Sequence, residues 1–184
     1  MQRRKHLNFV FGMVSLAGVV LMAVIFILVG KEYIFQPYEN QGAGFKIEYP
    51  RDWTREENQN GAAVIFYSPL DNKLDYFRDN VNIVVQDLQK PMTLSEYSDL
   101  AIKQMEGVFT TNFQVTESVV ATLSGRPAHK LVFTGKGPDT ELKYYIVWTL
   151  DETKAYQVTY LAFPSAYEKY LPKVEKMISS FRLK

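Results

Sequence analysis

Hydrophobic and polar positions along this chain fall into three regimes: one long uncharged run, a series of short alternating stretches, and two stripes at helical spacing. The run extends from Leu7 to Gly30, preceded by Arg3, Arg4 and Lys5 and closed by Lys31 and Glu32. About two dozen residues at ~1.5 Å rise make a helix of roughly 36 Å, enough to cross a bilayer core of about 30 Å. The run is longer than the apolar core of a cleaved signal, and no small-x-small site closes it. Leu28-Val29-Gly30 carries leucine where a small residue is needed, and Ala17 to Ala23 lies well inside the run. Residues 7–30 are therefore expected to be an uncleaved transmembrane signal anchor. The positive charges ahead of it keep residues 1–6 cytoplasmic, and the rest of the chain is extracytoplasmic. Gly12, Ser15 and Gly18 miss the four-residue spacing of close helix pairing, so the helix reads as an anchor in the cell membrane.

Past the anchor the pattern changes. Residues 31–43, with Pro37 and Gly42, read as a polar linker, and residues 44–184 as one external domain. Phe45, Ile47 and Tyr49 alternate with Lys46 and Glu48, the period-two signature of a half-buried strand ended by Pro50. A second short strand follows Trp53, and Asn60-Gly61 predicts a hairpin into Ala63–Tyr67. Ser68 to Asn80 reads as a polar loop, and Val81, Ile83 and Val85 as the next strand. Thr93 and Glu96 form a capping box ahead of Leu94, Tyr97, Ala101, Met105 and Val108, an amphipathic helix. Strands are predicted over Gln114–Leu123, Ala128–Thr134, Glu141–Leu150 and Ala155–Phe163, with turns at Ser124–Pro127, Gly135–Pro138 and Asp151–Lys154. The rows Leu142, Tyr144, Ile146, Trp148, Leu150 and Tyr156, Val158, Tyr160, Ala162 make the last two strands the candidates for the sheet centre, with their rows set against each other. The closing helix carries Tyr167, Leu171, Val174, Met177, Ile178 and Phe181 on one stripe, with Pro172 either kinking it or sitting in its first turn. The expected fold class is α+β: a central antiparallel β-sheet flanked by helices, preceded by one transmembrane helix.

Composition narrows the chemistry. Without Arg3, Arg4 and Lys5 the 21 basic residues fall to 18 against 20 acidic, a net of −2, which gives no electrostatic case for nucleic acid. Zero cysteines exclude disulfides, thiolate metal sites and a lipid-attached cysteine. Aromatics at 14% suit strands and core packing before they suit a ligand. Asp71, Asp75 and Asp79, with Asn72 and Asn80, are the calcium candidates, since hard cations take oxygen ligands. Their spacing matches no ion-wrapping loop, and a solvated polar loop explains them. Ser124, His129 and Asp139 have the residue types of a hydrolytic triad, but Ser124 sits in a turn without the strand-to-helix elbow of a nucleophile. Gly135-Lys136-Gly137-Pro138 lacks the context of a phosphate loop and reads as a flexible turn. Tyr33, Phe35 and Tyr38 fall where aromatics line a membrane interface. No residue set stands in a catalytic context, so no enzyme and no cofactor are expected.

Gly44-Phe45-Lys46-Ile47-Glu48-Tyr49-Pro50 with Trp53 resembles the opening strand of the PsbP-related family. Phe77 to Val85 followed by Leu94-Ser95-Glu96-Tyr97, the hairpin Leu123 to Ala128, and the ending Met177 to Phe181 fit the same family in order. The resemblance spans about Gly44 to Leu183. It implies a central antiparallel sheet flanked by helices, a fold shared with a nuclear import factor that binds a small GTPase. It implies a binding or assembly module, not an enzyme. The named member is an extrinsic lumenal photosystem subunit that helps retain calcium and chloride, and many prokaryotic relatives sit in the envelope. This chain departs from the photosynthetic members in its expected anchor and in lacking the lipid-attachment cysteine. The expectation is an accessory or assembly subunit of a membrane or envelope complex, bound to the membrane through Leu7 to Gly30 and to an unidentified protein partner. A small-ligand or metal binder using the aromatic rows is the alternative, and a photosystem-like extrinsic role another.

Overall fold

Period-two alternation becomes strand almost wherever it occurs, and two tight turns fix how the strands pair. The computed structural model describes residues 33–70, 77–109, 112–136 and 140–184. The anchor expected over 7–30 lies outside them, and no helix among the described residues is long and apolar enough to cross a membrane. The chain divides into the units Met1–Ile34 and Phe35–Lys184, and the elements below belong to the second.

Strands β1 (Phe35–Asn40), β2 (Phe45–Pro50), β3 (Thr54–Gln59), β4 (Ala62–Tyr67) and β5 (Asn80–Asp87) lead to helix α1 (Leu94–Val108). Then come β6 (Gln114–Leu123), β7 (Arg126–Lys136), β8 (Glu141–Asp151), β9 (Lys154–Ala162), helix α2 (Tyr167–Ser180) and β10 (Arg182–Leu183). Asn60-Gly61 (φ 52° and 79°) and Ser124-Gly125 (φ 55° and 73°) are both left-handed, the geometry of a two-residue hairpin whose twist matches its strands. Within the expected linker 31–43, Phe35–Asn40 form a strand. β1 pairs antiparallel with β2, placing Tyr38 opposite Ile47, and Tyr38 is buried. One buried residue in a stretch otherwise part-exposed, with a proline in it, hides this strand from period-two reading.

The strands form a three-stranded sheet, β1-β2-β10, and a seven-stranded sheet in the order β3-β4-β5-β9-β8-β7-β6. β9 is thus central with β8 beside it. Their expected aromatic rows, however, lie on opposite faces. The turn after β8 pairs Asp151 with Lys154, which sets Tyr145 opposite Tyr160 and Val147 opposite Val158, while Ile146 and Trp148 meet Thr159 and Gln157. Antiparallel partners share a face, so each strand contributes alternate residues to both.

One face, with Val147, Val158 and Tyr160, packs in a core with Phe45, Ile47, Phe66, Val174, Met177 and Phe181 from the small sheet, β4 and the α2 segment. The other face, with Leu131, Phe133, Ile146 and Trp148, packs against Tyr97 and Ala101 of α1. Each such side chain contributes roughly 1.5–3 kcal/mol on full burial. Val108, expected on the α1 stripe, is 74% exposed because the helix ends there, and Ser98 and Ile102 take part in its place. The capping box is present: the Thr93 hydroxyl accepts from the Glu96 amide at 3.2 Å while the Thr93 amide donates to Glu96 Oε2 at 2.8 Å. α2 continues through Pro172 without restarting, and Tyr170 and Lys173 join its buried face.

Candidate functional site

α1 is held on the sheet by a polar bond inside an apolar layer. The Trp148 indole N–H donates to Ser98 Oγ at 2.9 Å, and Ser98 Oγ donates to the Leu94 carbonyl at 2.7 Å. The Tyr97 ring meets Trp148 edge-on at 6.4 Å, and the His129 ring stacks near it at 5.0 Å. Between the helix and the end of β5, the connection through residues 88–93 leaves a cleft of about 620 Å³. Leu88, Met92 and Leu100 supply its apolar surface, and Gln86, Gln89 and Gln104 its amides. Leu100 is 44% exposed. At its inner end the Tyr97 hydroxyl donates to Gln86 Oε1 over 3.5 Å, a long contact, and burial pushes the Tyr97 pKa up so the hydroxyl stays protonated. Lys154 holds Asp87 at the rim at 3.0 Å, and its hydrogen bond to Asp87 raises the Lys154 pKa. Amides, one phenol and aliphatic side chains, together with Asp87 and Lys90, line it and offer both hydrogen bonds and apolar contact. A second, open cleft of about 490 Å³ lies between the turns after β1 and β3, with Asn40, Asn58 and Lys154 on its wall.

The PsbP family model matches residues 33–183. The chain belongs to the PsbP family. The match takes in β1, in agreement with the strand pairing within the expected linker. Three solved structures share the fold. Cyanobacterial PsbP (CyanoP) from Synechocystis superposes with a TM-score of 0.61 at 14% identity, over 85% of this chain and 95% of that one. LpqN of Mycobacterium tuberculosis, involved in cell envelope biogenesis, gives 0.64 at 12% identity, over 84% and 92%. PA94 of Pseudomonas aeruginosa, a protein of unknown function and putative regulator, gives 0.56 at 14% identity, over 77% and 92%. At these identities the likeness is one of fold. No curated protein matches the chain.

On this PsbP domain the residues singled out by sequence take different places. Asp79 is buried just before β5, its carbonyl accepting from the Ser68 amide at 2.8 Å, while Asp71 and Asp75 lie outside the described residues. Among the described residues no group of three or more His, Asp or Glu is placed to hold a metal. Ser124 turns the β6–β7 hairpin, and its Oγ accepts from the Leu183 amide at 2.8 Å, tying the chain end to that turn. His129 instead meets Ser118 Oγ at 2.9 Å through Nε2. Asp139 lies outside the described residues. Gly135 and Lys136 belong to β7 and not to a flexible turn, and Gly137-Pro138 fall outside the described residues. Tyr38 does not sit at a membrane interface: its ring packs edge-on against Phe66 at 5.5 Å.

The Ser118–His129 contact escapes sequence reading because residues 118 and 129 become neighbours only once the register is known. The Ser124-Gly125 turn sets Val120 opposite His129, which leaves Ser118 one step along the same face. Burial against Trp148 holds the His129 pKa below its ordinary value, with the Asp99 carboxylate acting in the opposite direction. On the same face of the edge strand the residue next to Ser118 is Val120.

Proposed function

We propose that this PsbP-family chain is a membrane-anchored, non-enzymatic binding domain: an accessory or assembly subunit of a membrane or envelope complex. Residues 7–30 hold it in the membrane with the domain on the extracytoplasmic side. The cleft beside α1 carries the reading. Its exposed Leu100 and part-buried Leu88 and Met92, rimmed by glutamine amides, offer a protein segment both apolar contact and hydrogen bonds. The involvement of the fold-sharing LpqN in envelope biogenesis supports the setting. The test is a photo-crosslinking residue at position 100 of the full-length chain in native membranes, with mass spectrometry of the adducts. Reproducible membrane-complex partners support the proposal, and photosystem subunits among them assign an extrinsic-subunit role. Absence of any adduct beyond that of a control position on β3 sinks it.

The long Tyr97–Gln86 contact favours a second reading, a small polar ligand that takes over both groups. A ligand bound only by the folded state raises the melting temperature by mass action, about 2.7 kcal/mol at one hundred times Kd. A metabolite screen that leaves the melting temperature unmoved removes this reading. Calcium added in the same assay tests the carboxylates Asp71, Asp75 and Asp79.

A further inference from the structure

The seven-stranded sheet ends in two edges of opposite character. β3 reads Thr-Arg-Glu-Glu-Asn-Gln and is exposed throughout, with Arg55, Glu56 and Glu57 along it, the charged edge by which sheet proteins avoid adding strands. β6 is longer, at 10 residues, and carries Glu117 as its single charge, already paired with Lys130 at 2.8 Å. Val115, Val119 and Val120 are exposed, Val120 to 85%. A register shift between Val115 and Glu117 bends the first part of the strand, while pairing from Glu117 to Leu123 runs without interruption.

Hydrogen bonding on that stretch follows from the turn. The two-residue Ser124-Gly125 hairpin makes Leu123 and Arg126 the bonded pair, so Thr122, Val120 and Ser118 turn their backbone N–H and C=O away from β7. We propose that this edge pairs antiparallel with β6 of a second copy of the chain, about a two-fold axis at Val120. That register uses the whole unbulged stretch. It sets Val120 against its own mate, Val119 against Ala121, Ser118 against Thr122, and Glu117 against Leu123. No like charges face each other, and the Ser–Thr and valine pairs are favourable cross-strand neighbours. One strand further, each Glu117 looks toward Arg126 of the second copy. Self-pairing of β3 meets Arg55, Glu56 and Glu57 instead. The partner here is a second copy, because an isologous strand pair needs only self-complementarity, and this stretch has it.

The proposal stands independently of the cleft, on the far side of the sheet's strand order from β5. The chain contains no cysteine, so a single introduced thiol reports one position. In native membranes bearing the full-length chain, Val120→Cys under mild oxidation gives a disulfide band of twice the monomer mass. It forms on the order of 100-fold faster than with Glu56→Cys on β3, because pairing presents thiols at a high effective concentration. In a mixture, Val119→Cys and Ala121→Cys chains cross-link with each other, and adding Val120→Lys to both abolishes the product. Equal rates at positions 120 and 56, or an adduct to a different protein, overturn the proposal.

Discussion

Ser98→Ala isolates the bond that seats α1. Trp148 is fully buried, and its indole N–H has the Ser98 hydroxyl as acceptor at 2.9 Å. Alanine removes that acceptor and leaves the N–H desolvated, a cost of about 1–3 kcal/mol. Alanine also gains about 0.5 kcal/mol of helix propensity over serine, so the net loss is about 0.5–2.5 kcal/mol. For a domain of this size that lowers the melting temperature by about 1–10 °C. Denaturant unfolding of the wild type, Ser98→Ala, Trp148→Phe and the double variant separates the bond from the loss of helix contacts. Phenylalanine has no N–H, so in the Trp148→Phe background Ser98→Ala becomes neutral or slightly stabilising, a coupling of about 1–3 kcal/mol. Equal cost in both backgrounds refutes the reasoning. The wall of the cleft depends on the same bond, since α1 carries both Tyr97 and Leu100.

Two further outcomes are expected. Gly135→Ala destabilises by about 1–3 kcal/mol, because an added Cβ comes within 2.8 Å of Phe109 Cδ1 and 3.2 Å of Phe133 Cε2; thermal melts check it, and Phe109→Ala in the same chain relieves the clash. For His129 the folded-state pKa lies below the ordinary value of about 6.5, so its contribution to stability is complete above pH 6.5 and is lost as pH falls through the folded value. Melting temperature measured from pH 8 to 5 should fall on the acid side, and His129→Gln should flatten that part of the profile; an unchanged slope contradicts the assignment.

Local chemistry made much of this fold legible. The capping box at Thr93, the left-handed pair Asn60-Gly61 and the alternation in β2 each state their geometry within a few residues, and all three occur as read. What escaped depends on pairing across the chain. β10 has two residues and exists because β2 offers Lys46 and Phe45 as partners, which no periodicity can announce. The opposite facing of the Trp148 and Tyr160 rows follows from where the β8–β9 turn closes: counted back from Asp151 and Lys154, Trp148 meets Gln157. Gly135 looked like turn chemistry because its neighbours are glycine and proline, yet it is a strand residue under the ring of Phe109. The cleft was no more visible, since Gln86, Met92 and Leu100 carry no motif and converge only when α1 lies over the sheet.

The two sheet faces bear on where this PsbP domain can bind. An antiparallel sheet with one bare face can offer that face to a partner, as oligonucleotide-binding folds do. Here one face is closed by α2 and the small sheet, and the other is covered along β7, β8 and β9 by α1. The aromatic rows that suggested a ligand pocket are consumed in these layers: Phe133 and Tyr144 stack at 4.6 Å with their planes 4° apart, and Tyr160 donates its hydroxyl to the Tyr167 carbonyl at 3.0 Å. On our proposals recognition falls to the gap where the chain climbs from β5 to α1 and to the edge at β6, whose single charge, Glu117, is paired with Lys130. The first presents side chains and suits a sequence-specific partner. The second presents backbone and suits another strand, to which the exposed Val120 offers an apolar cross-strand neighbour.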